Sequence, residues 1–192
     1  MRTIFFISHP NVIIDPDTNI TDWSLSAVGI QRMNQMLNLS WVKDVVSVFS
    51  STEKKAVDGA KILAEHLQLT HTELPDLGEN DRSATGYLPP AEFELMADQF
   101  FAQPTESIRG WETAQDAQHR IVAAVDQIAN LSSTNFPVAI VSHGAVGTLL
   151  LCHLNGWAID RKHDQPGTGG GNYFRFDADT GVVEHGWRSI DE

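Results

Sequence analysis

The chain has a single cysteine, Cys152, in 192 residues, which excludes a disulfide scaffold and cysteine-based zinc sites. Cations are scarce as well. Against 25 Asp and Glu stand only 13 Lys and Arg, a net charge of −12. That balance excludes nucleic acid and an anionic membrane surface as partners, since both need clustered cations. It leaves small anionic ligands open, because a local patch can oppose the global field. No stretch approaches the roughly 20 apolar residues of a membrane span. The run Ile4-Phe5-Phe6-Ile7 before Ser8 is too short for a secretory leader. With 42% hydrophobic and 20% charged residues, the expectation is a cytoplasmic, acidic protein folding as one domain over residues 1–192. Its oligomeric state, monomer or homodimer, is left open.

What is present is organised around two strand ends. Ile4 to Ile7 read as a strand buried on both faces, and Pro10 stops regular pairing directly after Ser8-His9. Pro137 to Ser142 reads the same way and runs into His143-Gly144-Ala145. In an open parallel sheet, ligands collect at the carboxyl ends of strands, so both histidines are expected at that rim. Between these ends the pattern alternates. A helix with Leu25, Val28, Met33, Met36 and Leu37 on its inner side is capped by Ser24 or Ser26. A strand over Val45–Phe49 leads to Ser50-Ser51-Thr52, and Ser51 or Thr52 caps a helix with Ala56, Ala60, Leu63, Ala64 and Leu67 on one face. His71 to Leu74 make a short strand. Helices follow from Pro90, with Phe93, Met96, Phe100 and Phe101 inward, from Trp111, and from Val146 to Leu154. Tyr173–Phe176 and the segment with Val182 and Val183 form a hairpin around Asp177–Gly181. The glycine-rich run 167–171 precedes a strand, so it is no dinucleotide fingerprint, and it is expected to be a mobile loop. The sum is a three-layer α/β/α sandwich around a mostly parallel central sheet.

Other features carry less. Asp15-x-Asp17-x-Asn19 starts like a calcium loop but has Ile20 and Ser26 where glycine and glutamate belong. His66, His71, His119, His153, His163 and His185 have no metal-ligand spacing. Lys54 and Lys55 sit at a helix start, where cations are disfavoured unless an anion is bound there.

The order of the rim segments resembles the histidine phosphatase superfamily, branch 1, the phosphoglycerate mutase-like fold. Ser8-His9-Pro10 stands where the family has Arg-His-Gly, and Ser50-Ser51 with Lys55-Ala56 where it has Ser-Ser followed by Arg-Ala. Leu77-Gly78-Glu79 matches the acid segment, Gly110–Thr113 with Arg120 a Gly-Glu-Ser-like helix start, Ser142-His143-Gly144 the second histidine, and Leu25–Gly29 an early helix start. The resemblance implies a phosphatase acting on a small phosphorylated molecule without metal or other cofactor. It makes His9 the nucleophile that becomes phosphorylated, Glu79 the acid/base with Asp81 as the alternative, and His143 the group that steadies the phosphoryl. Ser8, Lys55, Arg82 and the Gly144 amide would bind phosphate. Two arginines of the family are replaced, by Ser8 and Lys55, so Arg82 is expected to supply the missing cation ahead of Arg2, Arg109 and Lys54. The alternative is a pseudoenzyme that binds a phosphate ligand without turnover. Restoring the pattern by Ser8→Arg with Lys55→Arg is expected to raise activity in a family-like pocket.

Overall fold

A computed structural model describes residues 2–131, 134–167 and 169–192. Six strands form one sheet: β1 Thr3–Ser8, β2 Ser47–Ser50, β3 His71–Glu73, β4 Val138–Ser142, β5 Asn172–Asp177 and β6 Val183–Ser189, in the order β3-β2-β4-β1-β5-β6. β3, β2, β4 and β1 run parallel, while β5 and β6 pair antiparallel at one edge. Among the described residues there are five α-helices, α1 Ala27–Met36, α2 Lys54–Leu67, α3 Pro90–Ala102, α4 Ala114–Asn130 and α5 Gly144–Leu154, besides short 3-10 turns.

The period of two in β1 and β4 builds both sides of the core. Ile4, Phe6, Val138 and Ile140 pack with the buried faces of α3, α4 and α5. Phe5, Ile7, Ala139 and Val141 face the other way, onto Met33 and Met36 of α1 and Ala56, Ala60 and Leu63 of α2. Strands covered on both sides must be apolar throughout, which accounts for the unbroken hydrophobic runs. The three-layer expectation holds.

Register brings the rim together. Ser8 of β1 lies opposite Ser142 of β4, and the His9 N–H donates to the Ser142 carbonyl at 3.0 Å. Ser50 of β2 lies opposite Val141, and the Ser51 N–H donates to the Val141 carbonyl at 3.1 Å. Parallel strands in register end at one level, so His9, Ser51 and His143 meet at one place.

Several local expectations are corrected. Ser26 caps α1, accepting from the Gly29 N–H at 3.1 Å, but Val28 is 56% exposed and takes no part in the inner face. Neither Ser51 nor Thr52 caps α2. The cap position is Glu53, whose N–H donates to Ser51 Oγ at 3.2 Å while its carboxylate is used elsewhere. Helix α4 starts at Ala114 behind the Thr113 cap, not at Trp111, which is buried against Phe93 and Phe100 ahead of it. The described glycines of the 167–171 run form a wall of the rim rather than a detached loop; Thr168 lies outside the described residues. Gly171 N–H donates to the His9 carbonyl at 3.2 Å, and Arg32 Nη1 and Nη2 donate to the carbonyls of Gly170 and Gly171 at 3.0 and 3.1 Å. Gly170 has φ +67°, and a Cβ there would collide with the His9 carbonyl oxygen, so only glycine fits so close to the first strand end.

Candidate active site

His9 and His143 stand edge to face, with ring centroids 5.1 Å apart. His9 Nδ1 lies 2.9 Å from the Pro10 carbonyl oxygen. A carbonyl can only accept, so Nδ1 carries the proton and Nε2 keeps its lone pair. Burial above all, then the positive charge of Lys55, lowers the His9 pKa to about 4, against the Pro10 bond and the Glu53 charge. The imidazole is therefore neutral at pH 7, as a nucleophile must be.

His143 is fully buried at the start of α5. Its Nε2 is 2.7 Å from Ser51 Oγ and 3.3 Å from Glu53 Oε1. Burial holds its pKa well below the usual value despite Glu53. An ionised carboxylate only accepts, so the single ring proton sits on Nε2. Nδ1 is left buried and without a partner among the described residues, a state that native structures rarely leave unused.

Glu53 is the residue that the sequence reading passed over. Its Oε2 lies 2.6 Å from Lys55 Nζ, and its Oε1 also accepts from the Glu79 N–H at 2.8 Å. Burial alone would raise its pKa, but the pull of His143, then of Lys55, with the hydrogen bonds, holds it down at about 2. Since His143 is neutral at pH 7, Lys55 is the cation that balances it there. The available signal was a carboxylate beside two lysines at a helix start on the rim.

Glu79 follows a turn that packs on α4. Its Oε2 accepts from the Ala145 N–H at 3.2 Å, and its Oε1 from the Val146 N–H at 3.1 Å. Two of the amides at the start of α5 are thus used by Glu79, and the Gly144 N–H remains. Burial, as the largest influence, raises the Glu79 pKa, helped by the Glu53 charge and opposed by Arg82 and the two amides. Arg120 holds this turn: Nη1 donates to the carbonyls of Asp76 and Gly78, both at 2.9 Å, and Nη2 to that of Glu79 at 3.1 Å. Glu112 fixes the guanidinium through two bonds of 3.0 and 2.8 Å. Asp81, the alternative acid, is exposed and accepts from the Ser83 N–H at 2.8 Å, and that bonding lowers its pKa. It does not line the cavity that holds His9.

That cavity, about 700 Å³, is lined by His9, Lys55, Glu79, Arg82, Gly144 and Gln165, with Trp23, Phe93 and Phe101 also in the lining. Arg82 lies over the Phe93 and Trp111 rings, at 5.1 and 5.7 Å from their centroids. Among the described residues it makes no ion pair, whereas Arg2, Lys54 and Arg109 are paired with Asp179, Asp58 and Glu92. Arg161, another lining residue, lies 2.5 Å from both Glu94 and Asp98. Lys55 is 3% exposed, its Nζ also donating to the Ile20 carbonyl at 2.8 Å. Ser8 is fully buried and absent from the lining. A second cavity, about 610 Å³ and rich in carboxylates, shares Ile20, Glu79 and Arg82 with the first.

The rim thus holds two histidines at adjacent parallel strand ends, the Glu79 carboxyl and, among the described residues, an Arg82 guanidinium without an ion pair. A sequence model of the histidine phosphatase superfamily (branch 1) matches residues 17–185, and the chain belongs to that superfamily. The matched stretch contains Glu79, Arg82 and His143 and begins after His9. No curated protein sequence matches the chain. Among solved structures, YhfR of Bacillus stearothermophilus is similar at 20% identity, with 99% of each chain covered and a TM-score of 0.80. A mycobacterial glucosyl-3-phosphoglycerate phosphatase in complex with inorganic phosphate is similar at 18% identity, with 100% of both chains covered and a TM-score of 0.77. The α-ribazole phosphatase of Shigella flexneri follows at 17% identity, 99% of this chain and 96% of that one, and a TM-score of 0.71. These likenesses establish the shared fold. Among the described residues, no helix is long and apolar enough to cross a membrane.

Proposed function

We propose that the protein hydrolyses small phosphomonoesters through a phosphohistidine on His9. The observation that carries this reading is the state of His9: neutral, its Nδ1 proton committed to the Pro10 carbonyl, in one cavity with Glu79 and Arg82. His9 Nε2 attacks phosphorus and the ester P–O bond breaks. The departing oxygen takes a proton from Glu79, whose pKa is raised by burial. Water then attacks phosphorus while Glu79 takes its proton, the N–P bond breaks with its electron pair returning to His9 Nε2, and inorganic phosphate leaves. Arg82 and the Gly144 N–H oppose the phosphoryl charge. A phosphoryl dianion raises the proton affinity of a nearby imidazole, so His143 gains a proton on Nδ1 as the substrate enters and donates to the transferred group. Lys55 contributes field more than contact, since Glu53 holds it.

The aromatic residues in the lining, Trp23, Phe93 and Phe101, support a leaving group with a flat, uncharged face. With Lys55 and Arg161 both paired to carboxylates, a second anionic group on the substrate finds, among the described residues lining the cavity, no unpaired Lys or Arg beyond Arg82. Naphthyl phosphate should therefore exceed 3-phosphoglycerate in kcat/KM, and the reverse order would remove this preference from the reading.

The test of the reaction is a labelling experiment. Protein is incubated with labelled acetyl phosphate, quenched in alkali and mapped. Acid-labile label on His9 that turns over, absent in His9→Ala, supports hydrolysis. The pairing of Lys55 with Glu53 favours a second reading, a phosphate-ligand binder without turnover. Saturable phosphate binding with no label from any donor would select it.

A further inference from the structure

Ser8 occupies the position where the resemblance expects a phosphate-binding arginine, yet it does not reach the cavity. What its hydroxyl reaches is Gln165. Ser8 Oγ accepts from the Asn172 N–H at 3.0 Å and donates to Gln165 Oε1 at 2.6 Å. Asn172 Nδ2 donates to the same Oε1 at 3.1 Å. Two donors on one oxygen fix the amide: Oε1 must face the buried pair, and the NH2 group must face away from it, because the opposite orientation would set the NH2 groups of Asn172 and Gln165 against each other.

On that other side lies Gly144, which lines the cavity with Gln165. Nε2 rests against the Cα of Gly144, where an added Cβ would collide with it, so glycine at the start of α5 is what lets the amide come this close. Gln165 and Gly144 line the cavity together with His9. Among the described residues Nε2 has no acceptor, and it stands beside the one amide of the α5 start that Glu79 leaves free. A side chain anchored at one end, with two unused N–H donors at the other, is preorganised for an oxyanion.

We propose that Gln165 is a phosphoryl-binding residue of this site, its Nε2 donating to a phosphoryl oxygen while Ser8 and Asn172 orient it. Resting on the phosphohydrolase reading, the proposal gives the Ser8 position a function: the hydroxyl positions a neutral donor instead of supplying a cation. The seat then holds the anion with the Arg82 guanidinium, the His143 imidazolium that forms as the anion enters, and neutral N–H groups.

The experiment measures inorganic phosphate by calorimetry and orthovanadate by inhibition or binding, on the full chain and two variants. Gln165→Glu keeps an oxygen to accept from Ser8 and Asn172, so the local fold and melting temperature are retained while the donors are lost and a negative charge is added. Gln165→Met removes the donors without charge. The expected result is phosphate binding weakened about tenfold in Gln165→Met and about a hundredfold or more in Gln165→Glu. Wild-type affinity in either variant overturns the proposal; loss in Gln165→Met with wild-type affinity in Gln165→Glu would assign Gln165 a packing role. If the wild type forms phosphohistidine on His9 and both variants bind phosphate normally, this inference alone fails. If the wild type neither binds phosphate nor labels, the functional reading fails with it.

Discussion

Glu53 Oε1 lies 3.3 Å from His143 Nε2, and Glu53 Oε2 lies 2.6 Å from Lys55 Nζ, so one carboxylate joins the second histidine to the lysine of the rim. The pair is nearly dry, with the lysine side chain 3% and the glutamate side chain 11% exposed. Removing one member of such a pair strands the other charge, a loss of about 3–5 kcal/mol. Glu53→Gln is therefore expected to lower stability to that extent by denaturant unfolding. Glu53→Gln combined with Lys55→Met should recover most of it, because no buried charge is left unpaired. Equal losses in the single and double variants would show that the pairing is not the source.

The same carboxylate gives stability a defined pH window. Its pKa falls from 4.5 when unfolded to about 2 when folded. The unfolded chain binds the proton more readily, so the contribution is complete above about 4.5 and fades as pH falls toward 2. The acid limb of the melting temperature should be shallower in Glu53→Gln between those values. An identical limb would place the acid sensitivity elsewhere.

Activity should follow a different pair. His9 titrates at about 4, among Lys55, Arg82, Glu53 and His143, and must be unprotonated to attack. Glu79, facing Arg82 and Glu53, titrates above the ordinary carboxylate value of 4.5 and must be protonated to assist the leaving group. The kcat/KM profile is expected to fall below about pH 4 and again at the alkaline side, where Glu79 loses its proton. A profile that rises steadily from pH 5 to 9 would remove Glu79 from the acid role.

Glu79→Gln sharpens that assignment. It can still accept an α5 N–H through its carbonyl oxygen but has no acidic proton. Loss of kcat by about 10²–10⁴ is expected with alkyl phosphates, whose alkoxides need the proton, and a much smaller loss with nitrophenyl phosphate. Equal losses on both substrates would mark a role in holding the site's shape.

Ser8→Arg is expected to destabilise the protein rather than restore a clamp, contrary to the expectation drawn from the motif. The position is fully buried, and its hydroxyl is bonded to Gln165 and Asn172, so a guanidinium there would displace both and lose its water. A melting temperature lower by several degrees, with no gain in activity, is the expected outcome. A stable and more active Ser8→Arg variant would mean that Gln165 can swing aside.

The sequence by itself determined the architecture. The short apolar runs Ile4–Ile7 and Val138–Val141, rich in β-branched and aromatic residues and flanked by Pro10, Pro137 and Gly144, read as strands covered on both sides, and Pro10 must stop the first of them. Those facts are local in the chain, so periodicity and turn chemistry reveal them, and they place His9 and His143 at strand ends. Even the errors were local ones of a few residues: Trp111 ahead of α4, Val28 turned outward, and the cap of α2. What only the tertiary structure decided is how charge is distributed around those histidines. Ser8 and Gln165 are 157 residues apart, Glu79 and the α5 amides are joined across 66 and 67 residues, and Ser51 meets His143 across 92. Parallel strands linked by helical crossovers bring distant segments to one rim, and electrostatic energy depends on those through-space distances and on the loss of water around them. For that reason the sequence pointed to neither Glu53 nor Gln165.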